Sequence, residues 1–233
     1  MASAFFQALY FSGLSGAYFA GHISEVYPLA RSWPALLVVF VSLILGNGDA
    51  ITPFAIFGIL LILAGSTAIP LKSFREIKLS TYANKSCAYA LLAAFGTAGY
   101  SILDDIGLRN VADNTDIANW KIAALWLGYE SLAAVSWLYL FERINIFQAP
   151  KGTSETISRP HTIVVAILMA IAYTLVLLSY TLVDNISYVA GFRQLSIPLG
   201  TLAGVILLRE PGPPLKWIGV TLMFAGLVMV ALG

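Results

Sequence analysis

Residues 53–65 read PFAIFGILLILAG, and residues 214–226 read PLKWIGVTLMFAG. Neither run alternates as a half-buried strand would, and neither carries an acid. Extended to 52–70 and 215–232, each approaches the roughly 20 apolar residues that a helix needs to cross a bilayer core. The two runs also match each other. Pro53 and Pro214, Gly58 and Gly219, Leu61 and Leu222, Ala64 and Ala225, and Gly65 and Gly226 are all 161 residues apart. An acid precedes each run in the same frame, Asp49 and Glu210, and Tyr27 and Tyr188 keep the offset. Apolar composition alone readily supplies a Leu or Ala match, but not two glycines, a proline and an acid together. The register slips by one at Arg31 and Arg193. A duplicated helical unit is therefore expected. Gly58 and Gly65 lie two turns apart on one helix face, as do Gly219 and Gly226, and small residues let membrane helices pack backbone to backbone. Related helical units around a central site are a common plan of secondary transporters.

The whole chain fits the same solvent. Of its 233 residues, 59% are hydrophobic and 11% charged, against roughly 25% charged in a soluble domain; the mean hydropathy is +0.83. Thirteen basic residues against twelve acidic ones leave no excess for a phosphate backbone. The single cysteine, Cys87, excludes a disulfide framework or a cysteine-based metal cluster. Eight spans are expected, at about 4–20, 28–46, 52–70, 86–108, 118–141, 161–182, 186–208 and 215–232. Between them lie Asn47-Gly48-Asp49, the polar stretch Lys72 to Lys85, Asn110 to Asn119, Glu142 to Pro160, Asp184-Asn185 and Arg209 to Pro214. Runs this long do not belong to an outer-membrane barrel. The first lacks the cationic lead and the cleavage site of a signal peptide. The expected fold class is an all-α polytopic membrane protein built from two related helical repeats.

The repeats are unequal. Residues 1–71 hold three helices of a first unit, 72–85 a polar linker, and 86–233 a second unit with five. Projected back by the same offset, the second unit's start falls about 75 residues before Met1. The expectation is that the first unit lacks two helices, through a truncation, a misassigned start or a genuine eight-helix form. One set of loops carries nine cations (Lys72, Arg75, Lys78, Lys85, Arg143, Lys151, Arg159, Arg209 and Lys216), the other set and helix ends Arg109 and Lys121. The positive-inside rule then puts both chain ends outside.

Several strings, in this order and spacing, resemble the EamA-like branch of the drug/metabolite transporter superfamily. VYPLARSWP at 26–34 is similar to the AYPLARG-x-x-P string of a bacterial subgroup. AGYSILDDIGLR at 98–109 resembles that subgroup's AAYTLVDGLGVR, and residues 192–232 resemble its last two helices. The resemblance covers nearly the whole chain. It implies ten helices in two five-helix repeats, cytoplasmic termini (against the cation count above), a bacterial inner or plasma membrane, and movement of a small polar metabolite or drug by alternating access, as permease or exporter. No cofactor and no metal is implied: His22 and His161 have no second ligand at metal spacing. The expected partners are the lipid bilayer, a small-molecule substrate, a proton or another coupling ion, and a second copy of the chain as a homodimer; nucleic acid is not among them.

Ionisable residues inside spans cost roughly 2.5–3.5 kcal/mol each even on the lenient insertion scale, which makes them functional candidates. Arg31, Asp104, Asp105, Glu130 and Arg193 are such residues. Tyr100 with Asp104, and Trp126 with Glu130, stand four apart and share a helix face. The resemblance places Arg31 on the Arg of YPLARG, Asp104 on the Asp of TLVDG and Glu130 on a mid-helix Glu. One reading has Arg31, Asp104, Glu130 and Arg193 lining a central cavity, with Tyr27, Tyr100 and Trp126 beside them; Tyr129 is a further lining candidate. The arginines would hold an anionic group, and a carboxylate would exchange a proton or hold an amine. The other reading has two buried Arg–carboxylate pairs that fix helix register. Asp105 is expected at the interface, and Asp49 and Glu210 at helix ends. Two further classes stand beside the transporter: a non-transporting or truncated membrane subunit, and an intramembrane enzyme. Gly46-Asn47-Gly48-Asp49 matches the GxGD string of intramembrane aspartyl proteases, but no intramembrane Asp precedes it as partner. No enzymatic activity is expected.

Overall fold

A computed structural model describes residues 1–20, 23–44, 51–69, 71, 85–144, 159–207, 209 and 212–232, with the backbone alone at 23–31, 159, 203 and 204. The described residues form helices and turns, with no strand among them. In chain order these are α1 (Ala2–Ala20), α2 (Ile23–Ile44), α3 (Pro53–Ala68), α4 (Lys85–Asp113), α5 (Asn119–Arg143), α6 (Arg159–Tyr180), α7 (Ile186–Phe192), α8 (Ser196–Leu207) and α9 (Pro214–Leu232). A single 3-10 turn, Arg193–Leu195, separates α7 from α8.

Among the described residues four stretches are long and apolar enough to cross a membrane: Lys85–Asp113, Pro160–Tyr180, Ile186–Leu207 and Pro214–Leu232. Ser32–Ile44 and Pro53–Ala68 are shorter apolar helices. α1 and α5 have the length, but Ser3, Gln7, Ser12 and Ser15 in the first, and Lys121, Glu130 and Glu142 in the second, lower their hydropathy. Large apolar side chains such as Leu132, Leu168, Leu175 and Ile206 stand exposed, while Asp104, Glu130 and Gln194 are buried. That is the inverse of a water-soluble domain, and it identifies a helical membrane protein.

Local chemistry explains the element boundaries. Thr52 Oγ1 accepts the Ala55 amide at 3.1 Å, and Pro53 follows at the first helical position, so α3 starts there. Asn185 caps α7 by accepting the Ser187 amide at 2.8 Å, and its Nδ2 donates to Ser42 Oγ at 3.0 Å, tying α7 to α2. One boundary differs from the sequence expectation. The fourth helix does not stop near residue 108 but runs to Asp113. Arg109 Nε donates to Asp105 Oδ1 at 2.7 Å, one turn back, and its Nη2 donates to the Val183 carbonyl at 2.5 Å, so the polar tail stays helical. Asp105, expected at the interface, is half-buried in this ion pair. The seventh span runs over Ile186–Leu207 as expected, with one tighter 3-10 turn at Arg193–Leu195. Asn47–Asp49, Glu210 and most of the two long polar stretches lie outside the described residues.

Two antiparallel helix pairs approach to backbone contact. In the pair α3–α9, a Cβ on Gly58 would stand 2.7 Å from the Gly226 carbonyl oxygen, and one on Gly65 2.5 Å from that of Gly219. In the pair α1–α4, a Cβ on Gly13 would stand 2.7 Å from the Ala93 nitrogen, and one on Gly96 2.6 Å from the Tyr10 nitrogen. The other helices gather on these pairs: α2 on α3 and α4, α5 on α1 and α6, and α7 on α2 and α9. Val38, Ile62, Leu108, Leu177, Tyr180 and Met223 form the centre of the shared core.

Candidate functional site

The packing of α1, α4, α5 and α6 leaves a cavity of about 510 Å³. Its polar wall is Gln7, Tyr10, Tyr100, Ser131, Tyr173 and Arg193; Phe11, Leu127, Met169 and Val176 are among its apolar side chains. The 3-10 turn between α7 and α8 delivers Arg193 to this wall. Its guanidinium donates to Ser101 Oγ and Tyr180 Oη, both at 3.3 Å, and to Tyr100 Oη at 3.2 Å. All three acceptors are neutral hydroxyls. Among the described residues no carboxylate forms an ion pair with Arg193, so the expected Arg–carboxylate pairing is not found there.

The carboxylates are gathered elsewhere. Asp104 is fully buried and accepts three hydrogen bonds: from Ser3 Oγ at 2.5 Å, from Trp126 Nε1 at 2.9 Å and from Tyr173 Oη at 2.7 Å. The same Ser3 hydroxyl lies 2.8 Å from Glu130 Oε1. Glu130 is 5% exposed, and its Oε2 has no hydrogen-bond partner. Gly107 makes room for this arrangement, since a Cβ there would collide with the Trp126 ring. Ser3, at the start of α1, thus ties α4 to α5 through one oxygen.

Tyr173 connects the two clusters. Its hydroxyl binds Asp104, and its ring packs edge-on against Tyr100, with centroids 5.8 Å apart. Tyr10 packs against Tyr100 from the α1 side at 5.9 Å. Arg193 and Asp104 are therefore linked through Tyr100 and Tyr173, with two tyrosine rings between them.

Of the side chains singled out from sequence, Tyr100 and Arg193 meet on the cavity wall, and Asp104, Trp126 and Glu130 meet in the acid cluster. Asp104 and Glu130 are not among the side chains lining this cavity: both are buried, with Ser3, Trp126 and Tyr173 bonded to Asp104. Trp126 points at Asp104 instead of the cavity, and Tyr129 faces outward. The backbone of Tyr27 and Arg31 is helical within α2, and their side chains lie outside the described residues. Gly58, Gly65, Gly219 and Gly226 form the α3–α9 seam, away from the cavity. Ser3, Tyr173, Ser101 and Tyr180 were not anticipated. One signal did exist: Tyr10 and Tyr173 are 163 residues apart, as are Ile23-Ser24 and Ile186-Ser187.

An uncharged hydroxyl triad around a guanidinium leaves a positive charge on a cavity wall, suited to a carboxylate or phosphate group. A pair of carboxyl groups bridged by one hydroxyl is suited to proton exchange. No protein-family model matches the chain and no curated protein is similar to it, so its chemistry is read from these side chains alone.

Proposed function

We propose that this chain is a secondary-active transporter of the EamA-like drug/metabolite type. It moves a small polar metabolite or drug bearing a negative group across a bacterial plasma membrane by alternating access. The observation that carries the reading is Arg193, a guanidinium without a carboxylate partner among the described residues, on the wall of a cavity of about 510 Å³ within an apolar helical bundle. The cavity's volume suits an amino acid or a compact organic acid, and its tyrosines suit a ring or an aliphatic chain.

In this reading eight helices cross the bilayer. Residues 1–71 belong to a first repeat, 72–85 to a linker and 86–233 to a second repeat. The α3–α9 seam supports the repeat. Gly58 corresponds to Gly219 and Gly65 to Gly226, so exchanging the two units turns the contact 58–226 into the contact 65–219. Tyr10 and Tyr173 flank one ring from α1 and α6, at a spacing two residues longer than that of the glycines. In the proposed cycle one unit rocks against the other around the cavity.

Uptake into proteoliposomes, screened over amino acids, organic acids and cationic drugs under an imposed pH gradient, tests the reading. At least one anionic or zwitterionic solute should accumulate. Arg193→Gln should then lower its uptake at sub-saturating concentration by about tenfold or more, the worth of a hydrogen bond to a charged group. Silence across the panel, or unchanged uptake by a well-expressed Arg193→Gln protein, overturns it.

One observation favours a second reading, a subunit that transports only within a larger assembly. Residues 160–172 of α6 are exposed all round the helix. Transport by particles that light scattering shows to be monomeric removes that reading.

A further inference from the structure

Building on the transporter reading, we propose that the coupling ion is a proton, carried by Glu130 and shared with Asp104 through the hydroxyl of Ser3, and that it travels together with an anionic substrate. The inference starts from counting hydrogens. A serine hydroxyl has one hydrogen and can donate once. Ser3 Oγ nevertheless lies within hydrogen-bond distance of oxygens from two carboxyl groups, Asp104 Oδ1 and Glu130 Oε1. Two ionised carboxylates crowded around one hydroxyl would repel each other in a buried site, and a single proton on one of them turns that repulsion into a hydrogen bond.

The surroundings say which carboxyl holds the proton. Asp104 has donors on both oxygens, Ser3 and Trp126 on Oδ1 and Tyr173 on Oδ2, which suits the ionised form. Glu130 has the Ser3 contact and stands within hydrogen-bonding reach of the Asp104 carboxyl itself, and no protein donor reaches its buried Oε2. An ionised carboxylate with so little compensation is costly in a low-dielectric interior. The pair therefore holds one proton, on Glu130, with Asp104 ionised and Ser3 bridging the two.

The groups facing this pair are few. They are the Met1 amino group before α1, Ser3 from α1, Asp104 from α4, Trp126 from α5, Tyr173 from α6, and Arg193 from the turn after α7. With Glu130 protonated, Asp104 and Arg193 balance each other's charge. An anion arriving at Arg193 then leaves one net negative charge among the three, instead of two with Glu130 ionised as well. Proton and anion favour each other's presence, which is the condition for their symport. On release the Glu130 O–H bond breaks and the proton passes to a water molecule that reaches the pair when the helices open. Glu130 keeps the electron pair as a carboxylate, and the Ser3 hydrogen can then serve only one of the two acids. Tyr173, bonded to Asp104 and packed on Tyr100, is the group through which that change reaches the Arg193 hydroxyls.

Infrared absorption of the full chain in phosphatidylcholine vesicles, without any solute, reads the proton directly. A protonated-carboxyl band is expected at neutral pH, lost in Glu130→Gln and retained but shifted in Ser3→Ala, which removes the bridge. The amide band reports folding, and the Ser3→Ala comparison suffices if Glu130→Gln does not fold. No band at neutral pH, a band that survives Glu130→Gln in a folded protein, or a band unmoved by Ser3→Ala overturns the proposal. A band that behaves as expected in a protein that moves no solute overturns the transporter reading instead. Transport without the band keeps the transporter and removes the proton from Glu130.

Discussion

The α3–α9 seam and the chamber between α1, α4, α5 and α6 solve one problem in opposite ways. Lipid tails are as apolar as leucine, so membrane helices gain nothing by hiding apolar surface from each other. They associate through close packing or through polar bonds. At the seam four glycines bring two backbones together and leave no volume. Around the chamber Ser3, Trp126 and Tyr173 join three helices through one aspartate, and the spacing they impose leaves room for a solute. A region that holds the protein together need not have space; a region that works must.

The contrast can be broken most severely at the seam. Gly65→Leu has no rotamer that helps, because the first atom added already meets the Gly219 carbonyl. Overpacking of this kind typically costs about 1–3 kcal/mol and occasionally more. Denaturant unfolding in detergent should place Gly65→Leu at or above the upper end of that range. A loss below roughly 0.5 kcal/mol would mean that the helices can part freely, and that the seam is not held by packing.

A gentler substitution probes the chamber. Gly107→Ala pushes against the Trp126 ring, which is a side chain and can move. The expected result is loss of the Trp126–Asp104 hydrogen bond, with a cost of about 1 kcal/mol, the net worth of one such bond. Trp126 fluorescence, isolated by difference against Trp126→Phe, should shift while the helical content stays constant. An unshifted emission would show that the ring never depended on this gap.

The smallest effect belongs to Ser66, fully buried on α3 among the seam glycines. Its hydroxyl donates to the Leu63 carbonyl of its own helix at 2.9 Å and, among the described residues, bonds to no other helix. Ser66→Ala should change stability by less than about 0.5 kcal/mol in the same assay. A larger loss would bring hydrogen bonding into a seam otherwise made of packing alone.

These sites also mark how far the amino-acid sequence could be read. Long apolar runs and the glycine spacing of 53–65 and 214–226 announce membrane helices and the faces that pack, because both depend on composition at short range. Asp104, Glu130 and Arg193 announce themselves because a charge in a span is expensive. Ser3 and Tyr173 do not: a hydroxyl costs little in an apolar helix, and only the folded chain brings them to Asp104. The reach of α4 to Asp113 was hidden for a similar reason. Arg109 looks like a helix end until Asp105 and the Val183 carbonyl, 74 residues away, neutralise and hold it. No local signal announced the 3-10 turn at Arg193 either, since Arg-Gln-Leu contains neither glycine nor proline.

That turn has a rotational consequence. An α-helix advances about 100° per residue and a 3-10 helix about 120°. Across Arg193, Gln194 and Leu195 the chain therefore gains about 60° of phase over an unbroken helix. The side chains of α8 point a sixth of a turn away from where straight-helix counting from α7 would aim them. α7 packs on α2 and α9, α8 packs on α9, and the tighter turn between them falls at the residue that carries the positive charge of the cavity.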